Sequence, residues 1–239
     1  MAGKTKAYLQ HLGFGSVKYN LRLDWRMLRR RMAGKDKKRM LEYLAGTGEK
    51  KLNVGCGANI LNGWLNVDFN PVSVDVVNLD ATKRFPLPDG AFDFIFTEHM
   101  IEHISYAHAE HMLRECFRVM KAGGRIRVST PDLKFLVDLY RTEKSPLQEE
   151  YVRRTAEELG VKALDTHVIN RFVREWGHIF IYDEKALKLA LEEAGFAEIE
   201  RCALNESQSP SLRNIEHETR RPQGFLRLET LTLEGVKKP

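Results

Sequence analysis

Hydrophobic positions along the chain change their spacing near Gly46. Before that glycine, apolar side chains recur every three or four positions from residue 22 to residue 44, which predicts one helix that Gly46 ends. After it, short apolar runs alternate with polar turns, which is typical of strands in a layered sheet. The predicted strands cover residues 51–54, 64–68, 74–79, 92–96, 125–129, 197–204 and 225–235.

Helical periodicity returns in two places between these strands. Residues 107–121 carry an apolar stripe that ends before a glycine pair. Residues 183–194 begin at Asp183, a residue type that caps helices, and end before another glycine. Because strands alternate with helices, the expected fold is α/β: a Rossmann-like, doubly wound, mostly parallel sheet that helices cover on both faces.

The domain organisation follows from the same change in pattern. Residues 1–46 are expected to form a basic helical N-terminal extension, and residues 47–239 the sheet domain, with a helical substrate lid around residues 131–177. Residues 1–40 hold twelve Lys or Arg and two Asp, a net charge of +10 in a chain whose total is +5. Such a segment indicates an anionic partner, whether nucleic acid, a membrane surface or an anionic small-molecule or glycan acceptor such as a phosphorylated substrate, or else a solvated helix face. Its apolar positions also suit packing on a second copy in a homodimer.

Composition limits the remaining classes. With 239 residues, of which 43% are hydrophobic and 30% charged, the chain can bury a full core. No apolar run approaches the ~18 residues that a membrane span needs, and the first ten residues lack the apolar core of a signal peptide. The three cysteines are odd in number and form no C-x-x-C pair, which favours a reducing cytoplasm over a disulfide framework.

The strongest chemical signal is a glycine turn after the first predicted strand of the sheet. Gly55 and Gly57 flank one residue there, so the backbone can turn tightly and lie against a ligand. Asp68 ends the next strand eleven residues later, and its carboxylate can accept hydrogen bonds from ribose hydroxyls. This arrangement suits an adenosine. A nicotinamide dinucleotide would also need a phosphate cradle, for which the residues after Gly57 are a poor context.

A longer series of motifs carries a family resemblance. It contains, in order, Val-Gly-Cys-Gly at 54–57, Asp68, Asn-Leu-Asp at 78–80, Pro-Leu-Pro-Asp-Gly-Ala-Phe-Asp at 86–93, Glu-His at 102–103 and Leu-Arg-Glu at 113–115. This series resembles class I S-adenosylmethionine-dependent methyltransferases, most of all the bacterial type 11 group that is often found with glycan biosynthesis genes. The resemblance implies S-adenosyl-L-methionine as the cofactor.

The same resemblance assigns the cofactor site residue by residue. Gly55 and Gly57 would lie beneath the methionine and ribose, Asp68 on the ribose diol, and Asp80 beside the adenine amino group. Asp80 could instead cap the segment that follows it. The resemblance also assigns three further residues to cofactor binding, namely Asn53, Leu79 and Glu98. The short interval between Gly57 and Asp68 predicts a compact loop or a single turn at residues 58–63.

Two histidines are the candidates for catalysis. His178 lies between an aromatic segment and a strand-like run, where an imidazole of near-neutral pKa could take the proton of a hydroxyl nucleophile. The alternative for His178 is a buried histidine bonded to the backbone. His99 follows strand 92–96 at the edge where doubly wound sheets bind ligands. His99 and His103 stand four apart, as in a metal pair on a helix, but no third ligand follows at a suitable spacing, so no metal is expected.

Missing motifs narrow the methyl acceptor. The chain has no Asn/Asp-Pro-Pro-aromatic motif of exocyclic amine methylation, no Pro-Cys pair of cytosine methylation and no Asp-Asn pair of magnesium-dependent catechol enzymes. We therefore expect O-methylation of a sugar or another small-molecule hydroxyl by direct displacement, which depends on positioning and the exclusion of water. Two alternatives stay open: an RNA or protein methyltransferase that docks through its basic N-terminus, and a non-catalytic, adenosine-binding regulatory subunit.

Overall fold

The computed structural model describes residues 34–141 and 143–239, which divide into two units after Gly46. The described part of the first unit is one helix, α1 (Lys35–Ala45), which begins after a left-handed Gly34. It ends at Gly46, whose N–H donates to the carbonyl of Tyr43 at 3.3 Å. The predicted helix is thus confirmed over its last part. Residues 22–33 of that prediction lie outside the described residues, as does most of the predicted basic extension.

The second unit is built on a seven-stranded sheet. Its strands are β1 (Lys51–Val54), β2 (Leu65–Asp68), β3 (Val77–Asn78), β4 (Phe92–Glu98), β5 (Met120–Pro131), β6 (Ala197–Arg201) and β7 (Thr230–Val236). They lie in the order β3-β2-β1-β4-β5-β7-β6, and only β7 runs antiparallel to its neighbours, β5 and β6. The expected Rossmann-like, mostly parallel fold is confirmed. The strand order reverses between β1 and β4, where such sheets bind ligands beyond the carboxyl ends of the strands.

Six further helices belong to this unit. They are α2 (Tyr106–Val119), α3 (Leu133–Leu139), α4 (Pro146–Leu159), α5 (Asp165–Arg174), α6 (Glu184–Glu193) and α7 (Phe225–Glu229). Asp183 caps α6 as predicted, since its Oδ1 accepts from the Ala186 N–H at 2.8 Å. Among the described helices, none has the length and apolar character that crossing a membrane would require.

Two strand predictions are too long. The strand expected at 74–79 shortens to β3, because its first residues form a turn in which the Val76 N–H donates to the carbonyl of Ser73 at 3.3 Å. The strand expected at 197–204 ends at Arg201 as β6.

Two predicted elements have the wrong type over part of their length. The helix expected at 107–121 ends at Val119, because the following residues already pair with β4 as part of β5. The strand expected at 225–235 is a helix, α7, over its first five residues, and β7 starts only at Thr230. Both errors lie where a helix passes directly into a strand.

Helices α3, α4 and α5 follow β5 and lie within the segment predicted as a helical lid. Their side chains form an apolar cluster in which the Tyr151 ring stacks on that of Phe225 at a centroid distance of 4.5 Å. Phe172, also in this cluster, contacts the ring of Trp176 at 5.4 Å. The cluster therefore supports the segment that leads to His178. The role of these helices as a substrate lid stays a prediction.

Candidate functional site

The predicted glycine turn lies at the carboxyl end of β1. The N–H groups of Gly55 and Cys56 both donate to the carbonyl of Val67 on β2, at 2.8 and 3.1 Å. Gly55 and Gly57 have φ angles of 66° and 50°, in the left-handed region that favours glycine. The Asp68 carboxylate accepts from the Gly57 N–H at 2.8 Å. Asp68 and the turn therefore hold one another in place at the edge of the sheet.

A cavity of about 370 Å³ opens beside this turn. It combines carboxylates with apolar side chains, and its lining includes Asp68, Asp80, Phe69, Leu79, Met100 and Ile104. No Lys or Arg stands among the described residues that line it. The backbone at Gly55 lies close to the side chain of Met100, since a Cβ added to Gly55 would be 2.2 Å from Cγ of Met100. The structure thus brings Gly55, Asp68, Leu79 and Asp80 to one cavity.

Asp80 also makes the local contacts of the capping alternative. Its Oδ1 accepts from the Thr82 N–H at 2.9 Å and from the Thr82 hydroxyl at 2.6 Å. These bonds orient the carboxylate at the cavity wall, so its capping role and a ligand role are compatible.

Three predicted cofactor residues, Asn53, Gly57 and Glu98, are not among the described residues that line this cavity. Asn53 Nδ2 donates to the carbonyl of Asn59 at 2.9 Å, and Glu98 accepts from Asn59 Nδ2 at the same distance. Glu98 also accepts from the His217 N–H at 3.1 Å. Asn53 and Glu98 instead hold residues 58–63, which form turns in place of a helix, as the spacing predicts.

A second cavity, of about 320 Å³, lies on the other side of His103. Its lining includes both predicted catalytic histidines, His99 and His178, together with Glu102, Trp176 and Arg220. His103 lines this cavity and the first one. The two cavities therefore share one lining residue.

His178 is oriented by the backbone. Its Nδ1 lies 2.6 Å from the carbonyl oxygen of Phe172, and since a carbonyl can only accept, Nδ1 carries the proton. In the neutral ring, Nε2 then keeps its electron pair. Burial lowers the pKa of His178 below its ordinary value of 6.5, which favours this neutral form. The ring meets that of His103 edge-on at a centroid distance of 5.0 Å.

Glu102 is the buried centre of the histidine group. Its Oε2 accepts from the Thr130 hydroxyl at 3.1 Å, and its Oε1 lies 3.4 Å from His99 Nδ1 and 3.8 Å from His103 Nε2. Burial by itself would raise the pKa of Glu102, but the neighbouring His99 and His103 outweigh it and lower the pKa. His99 has a strained φ of 46°, and its Nε2 lies 3.0 Å from the Thr230 hydroxyl.

Sequence reasoning named Glu102 and His103 in the family resemblance, and His103 also as half of a metal pair, but it gave neither residue a role in binding or catalysis. The available signal was the Glu102-His103 pair, which follows the end of β4 three residues after His99.

A comparison with protein families identifies the family of the chain. The model of a family described as methyltransferase domain matches residues 17–200, well over half of the chain. The chain belongs to this methyltransferase family. The resemblance to class I enzymes is confirmed at this level, and the family membership makes the protein an S-adenosylmethionine-dependent enzyme.

Several solved structures are similar to this methyltransferase. A SAM-dependent methyltransferase from Archaeoglobus fulgidus is 18% identical in sequence. The alignment covers 87% of this chain and 94% of the other, with a TM-score of 0.48. One from Thermotoga maritima is 18% identical over 91% of this chain and 97% of its own, with a TM-score of 0.46. A phosphoethanolamine N-methyltransferase from Haemonchus contortus is 16% identical over 84% of this chain and 52% of its own, with a TM-score of 0.44.

The methyltransferase uses S-adenosylmethionine as its cofactor. The first cavity fits this group, because a sulfonium nucleoside has hydroxyl and amine donors for Asp68 and Asp80 and no phosphate that would need cations. The glycine turn supplies a wall without side chains, and Leu79, Met100 and Ile104 supply apolar surface.

Replacement of Asp68 by Ala is expected to weaken cofactor binding. The variant loses an acceptor in the cavity wall and the bond that holds the Gly57 N–H, so we expect a loss of about 1.5–3 kcal/mol in the binding free energy of S-adenosylhomocysteine. Isothermal titration calorimetry measures this directly. Asp75→Ala, which removes an exposed carboxylate from the loop before β3, is the matched control. Unchanged affinity of Asp68→Ala would move the ribose contact to another residue.

Proposed function

We propose that this methyltransferase transfers its methyl group to a hydroxyl oxygen of a sugar or another small molecule. The observation that carries the proposal is the position of His103, which lines both cavities, so that a cofactor in the first and an acceptor in the second would meet there. We assign the first cavity to Asp68, Asp80, Leu79 and the glycine turn as cofactor site. Asn53 and Glu98 act on it through the loop at residues 58–63.

The chemistry that this arrangement supports is a direct displacement. The bound cofactor supplies a methyl group on a positively charged sulfur, and as the new O–CH₃ bond forms, the S–CH₃ bond breaks and its electron pair passes to sulfur. The protein aligns the acceptor oxygen and excludes water from the junction. The hydroxyl proton must also leave. Nε2 of His178 has a free electron pair, which can accept this proton directly or bind a cation that makes the hydroxyl more acidic.

The acceptor cavity favours a polar, ring-shaped acceptor. Trp176 is 42% exposed at its rim and presents an aromatic surface, while His99, His178 and Arg220 supply polar groups. Arg220 is paired with Glu98 at 3.5 Å, so its charge is partly used within the protein. This combination supports a sugar-like acceptor in the manner of the type 11, glycan-associated group. The free thiols of Cys56, Cys116 and Cys202 support a place in the reducing cytoplasm.

Transfer from labelled cofactor tests the acceptor class. The full-length protein is incubated with methyl-deuterated S-adenosylmethionine and a library of sugars, sugar nucleotides and small alcohols, and mass spectrometry finds the products that gain one labelled methyl group. Fragmentation then locates the methylated atom. Methylation at oxygen supports the proposal. Transfer only to nitrogen, or only to RNA or protein added in parallel, would contradict it and favour docking of a macromolecule through the basic segment.

His178→Ala separates the acceptor from the cofactor. Because His178 lines the second cavity and not the first, we expect unchanged affinity for S-adenosylhomocysteine and a fall in turnover of about 10²–10⁴-fold. His108→Ala removes an exposed histidine from the first turns of α2 and serves as control. Full activity would remove His178 from the mechanism, and loss of soluble protein would show that its bond to the backbone is structural.

A further inference from the structure

We propose that Glu102, His103 and His178 form a binding site for a divalent transition-metal cation at the junction of the two cavities. Each of these residues offers one ligand atom, and the three atoms lie within 4.8 Å of one another. The ligands come from two separate segments, the turn after β4 and the segment after α5. The sequence could not show this set, because the third ligand follows far along the chain.

The buried carboxylate of Glu102 has one oxygen, Oε1, that accepts no hydrogen bond from the described residues. The side chain has no exposed surface. The His99 Nδ1 at 3.4 Å is an electrostatic neighbour outside hydrogen-bonding geometry. Oε2, in contrast, accepts from the Thr130 hydroxyl at 3.1 Å. Oε2 is therefore held by a hydrogen bond, and Oε1 faces the two histidines. A carboxylate that binds a metal through one oxygen has this arrangement.

The orientation of His178 matches that of a metal ligand. Histidines that bind metals through one ring nitrogen almost always donate from the other to a carboxylate or backbone carbonyl. His178 has this arrangement, with Nδ1 donating to the carbonyl of Phe172 at 2.6 Å and the Nε2 electron pair left for a cation. His103 presents Nε2 on the side of Glu102, at 3.8 Å from Oε1.

The donor set selects the class of cation. Two imidazoles and one carboxylate suit Zn²⁺, Co²⁺, Mn²⁺ or Fe²⁺ and not Mg²⁺ or Ca²⁺, which prefer oxygen ligands. Two cationic side chains also line the second cavity, but each has its own carboxylate: Arg220 lies 3.5 Å from Glu98, and Arg221 lies 3.3 Å from Glu229.

A second group of possible ligands lacks these features. Glu200, Cys202 and Glu234 lie close together, but Glu234 already pairs with Arg127 at 2.6 Å and with Arg125 at 3.2 Å. Its charge is thus neutralised within the protein.

A cation held at this junction would act on the acceptor. Three protein ligands would leave a coordination position open to the second cavity, and a hydroxyl bound there would become more acidic and lose its proton to bulk solvent as the acceptor binds, before methyl transfer. This step rests on the proposed function, because it places the acceptor in the second cavity. The binding of the cation itself does not.

Metal titration of the full-length protein tests the site. The protein is dialysed against EDTA, then titrated with Co²⁺ followed by absorption spectroscopy and with Zn²⁺ followed by calorimetry. We expect one equivalent per chain. Because changes to second-sphere partners already cost about 10–100-fold in metal affinity, loss of a ligand in Glu102→Gln, His103→Ala or His178→Ala should cost about 100-fold or more. His108→Ala, at an exposed position, should bind as the unaltered protein does.

The outcomes separate this proposal from the proposed function. The cation site is overturned, even if O-methylation proceeds, if the protein does not bind the metal stoichiometrically or if the three variants bind it as tightly as the unaltered protein does. Stoichiometric binding that needs all three residues supports it even if the methylated atom proves to be nitrogen. Circular dichroism and thermal unfolding check that each variant is folded, because His103 also lines the first cavity and its replacement can change cofactor affinity directly. If the buried Glu102 does not tolerate replacement, the half-buried His103 and His178 carry the test.

Discussion

Gly55→Ala is expected to abolish most of the cofactor binding of this methyltransferase. The added Cβ would lie 2.2 Å from Cγ and 2.8 Å from Cβ of Met100, too close for either to stay in place. Met100 lines the first cavity, so its displacement would fill space that the cofactor needs. Overpacking costs about 1–3 kcal/mol and a left-handed alanine about 1–2 kcal/mol more. We expect affinity for S-adenosylhomocysteine to fall by roughly 100-fold or more.

Gly90→Ala isolates the effect of the clash. Gly90 has a φ of 60°, close to the 66° of Gly55, but a Cβ there would meet no atom within 4 Å. Both variants carry similar backbone strain, and only Gly55→Ala crowds the cavity. Calorimetry should therefore show normal affinity for Gly90→Ala. If the two variants lose affinity equally, strain and not crowding is the cause; if Gly55→Ala binds normally, the cofactor does not lie against this turn.

The parts of the fold that could be predicted are those where local pattern and burial agree. Strands β1 and β2 are short runs in which apolar residues alternate with asparagine, and both are buried in the sheet, so this alternation between turn residues identifies them. The glycine turn after β1 was recognisable because its backbone angles suit glycine and because Asp68 follows on the neighbouring strand.

The elements that could not be predicted depend on contacts distant in sequence. The alternation at 225–235 satisfies a strand pattern, but Phe225 belongs to helix α7, from which its ring packs against the aromatic cluster of α3, α4 and α5. For α2, the end is set by pairing of the next residues with β4 and not by the glycine pair that follows. Local propensity was overridden by tertiary packing in both cases.

The candidate site divides in the same way. Asp68 ends β2 and Asp80 follows the end of β3 by two residues, and because these strands are parallel neighbours, the common place of the two carboxylates at one edge follows from topology. Glu98 also ends a central strand, but the chain from 205 to 217 returns to cover it, and its carboxylate accepts from the His217 N–H. The meeting of His103 with His178 depends on how the segment after α5 returns to the sheet. No spacing in the sequence encodes that return.

Arg127→Met is expected to lower the free energy of unfolding by about 3–5 kcal/mol, the cost of leaving buried charges without their partner. Arg127 has no exposed side-chain surface and donates to Glu216 at 2.5 Å and to Glu234 at 2.6 Å. Both carboxylates are fully buried as well. The guanidinium also donates to the carbonyls of Ala203 and Glu206, so it ties β5 and β7 to the chain that leads to the second cavity. Urea unfolding followed by circular dichroism measures the loss.

Two further variants distinguish charge from volume as the cause. Arg153→Met removes an exposed arginine that pairs with Glu150 and Glu157 on α4, and it should leave the unfolding midpoint almost unchanged, since exposed pairs contribute little. In the triple variant Arg127→Met, Glu216→Gln, Glu234→Gln, no charge is left unpaired, so part of the stability should return. If the triple variant is no more stable than Arg127→Met, the loss stems from packing, and the network is not held by its charges. If it recovers, the loss in Arg127→Met stems from the buried carboxylates of Glu216 and Glu234 that it leaves without a partner.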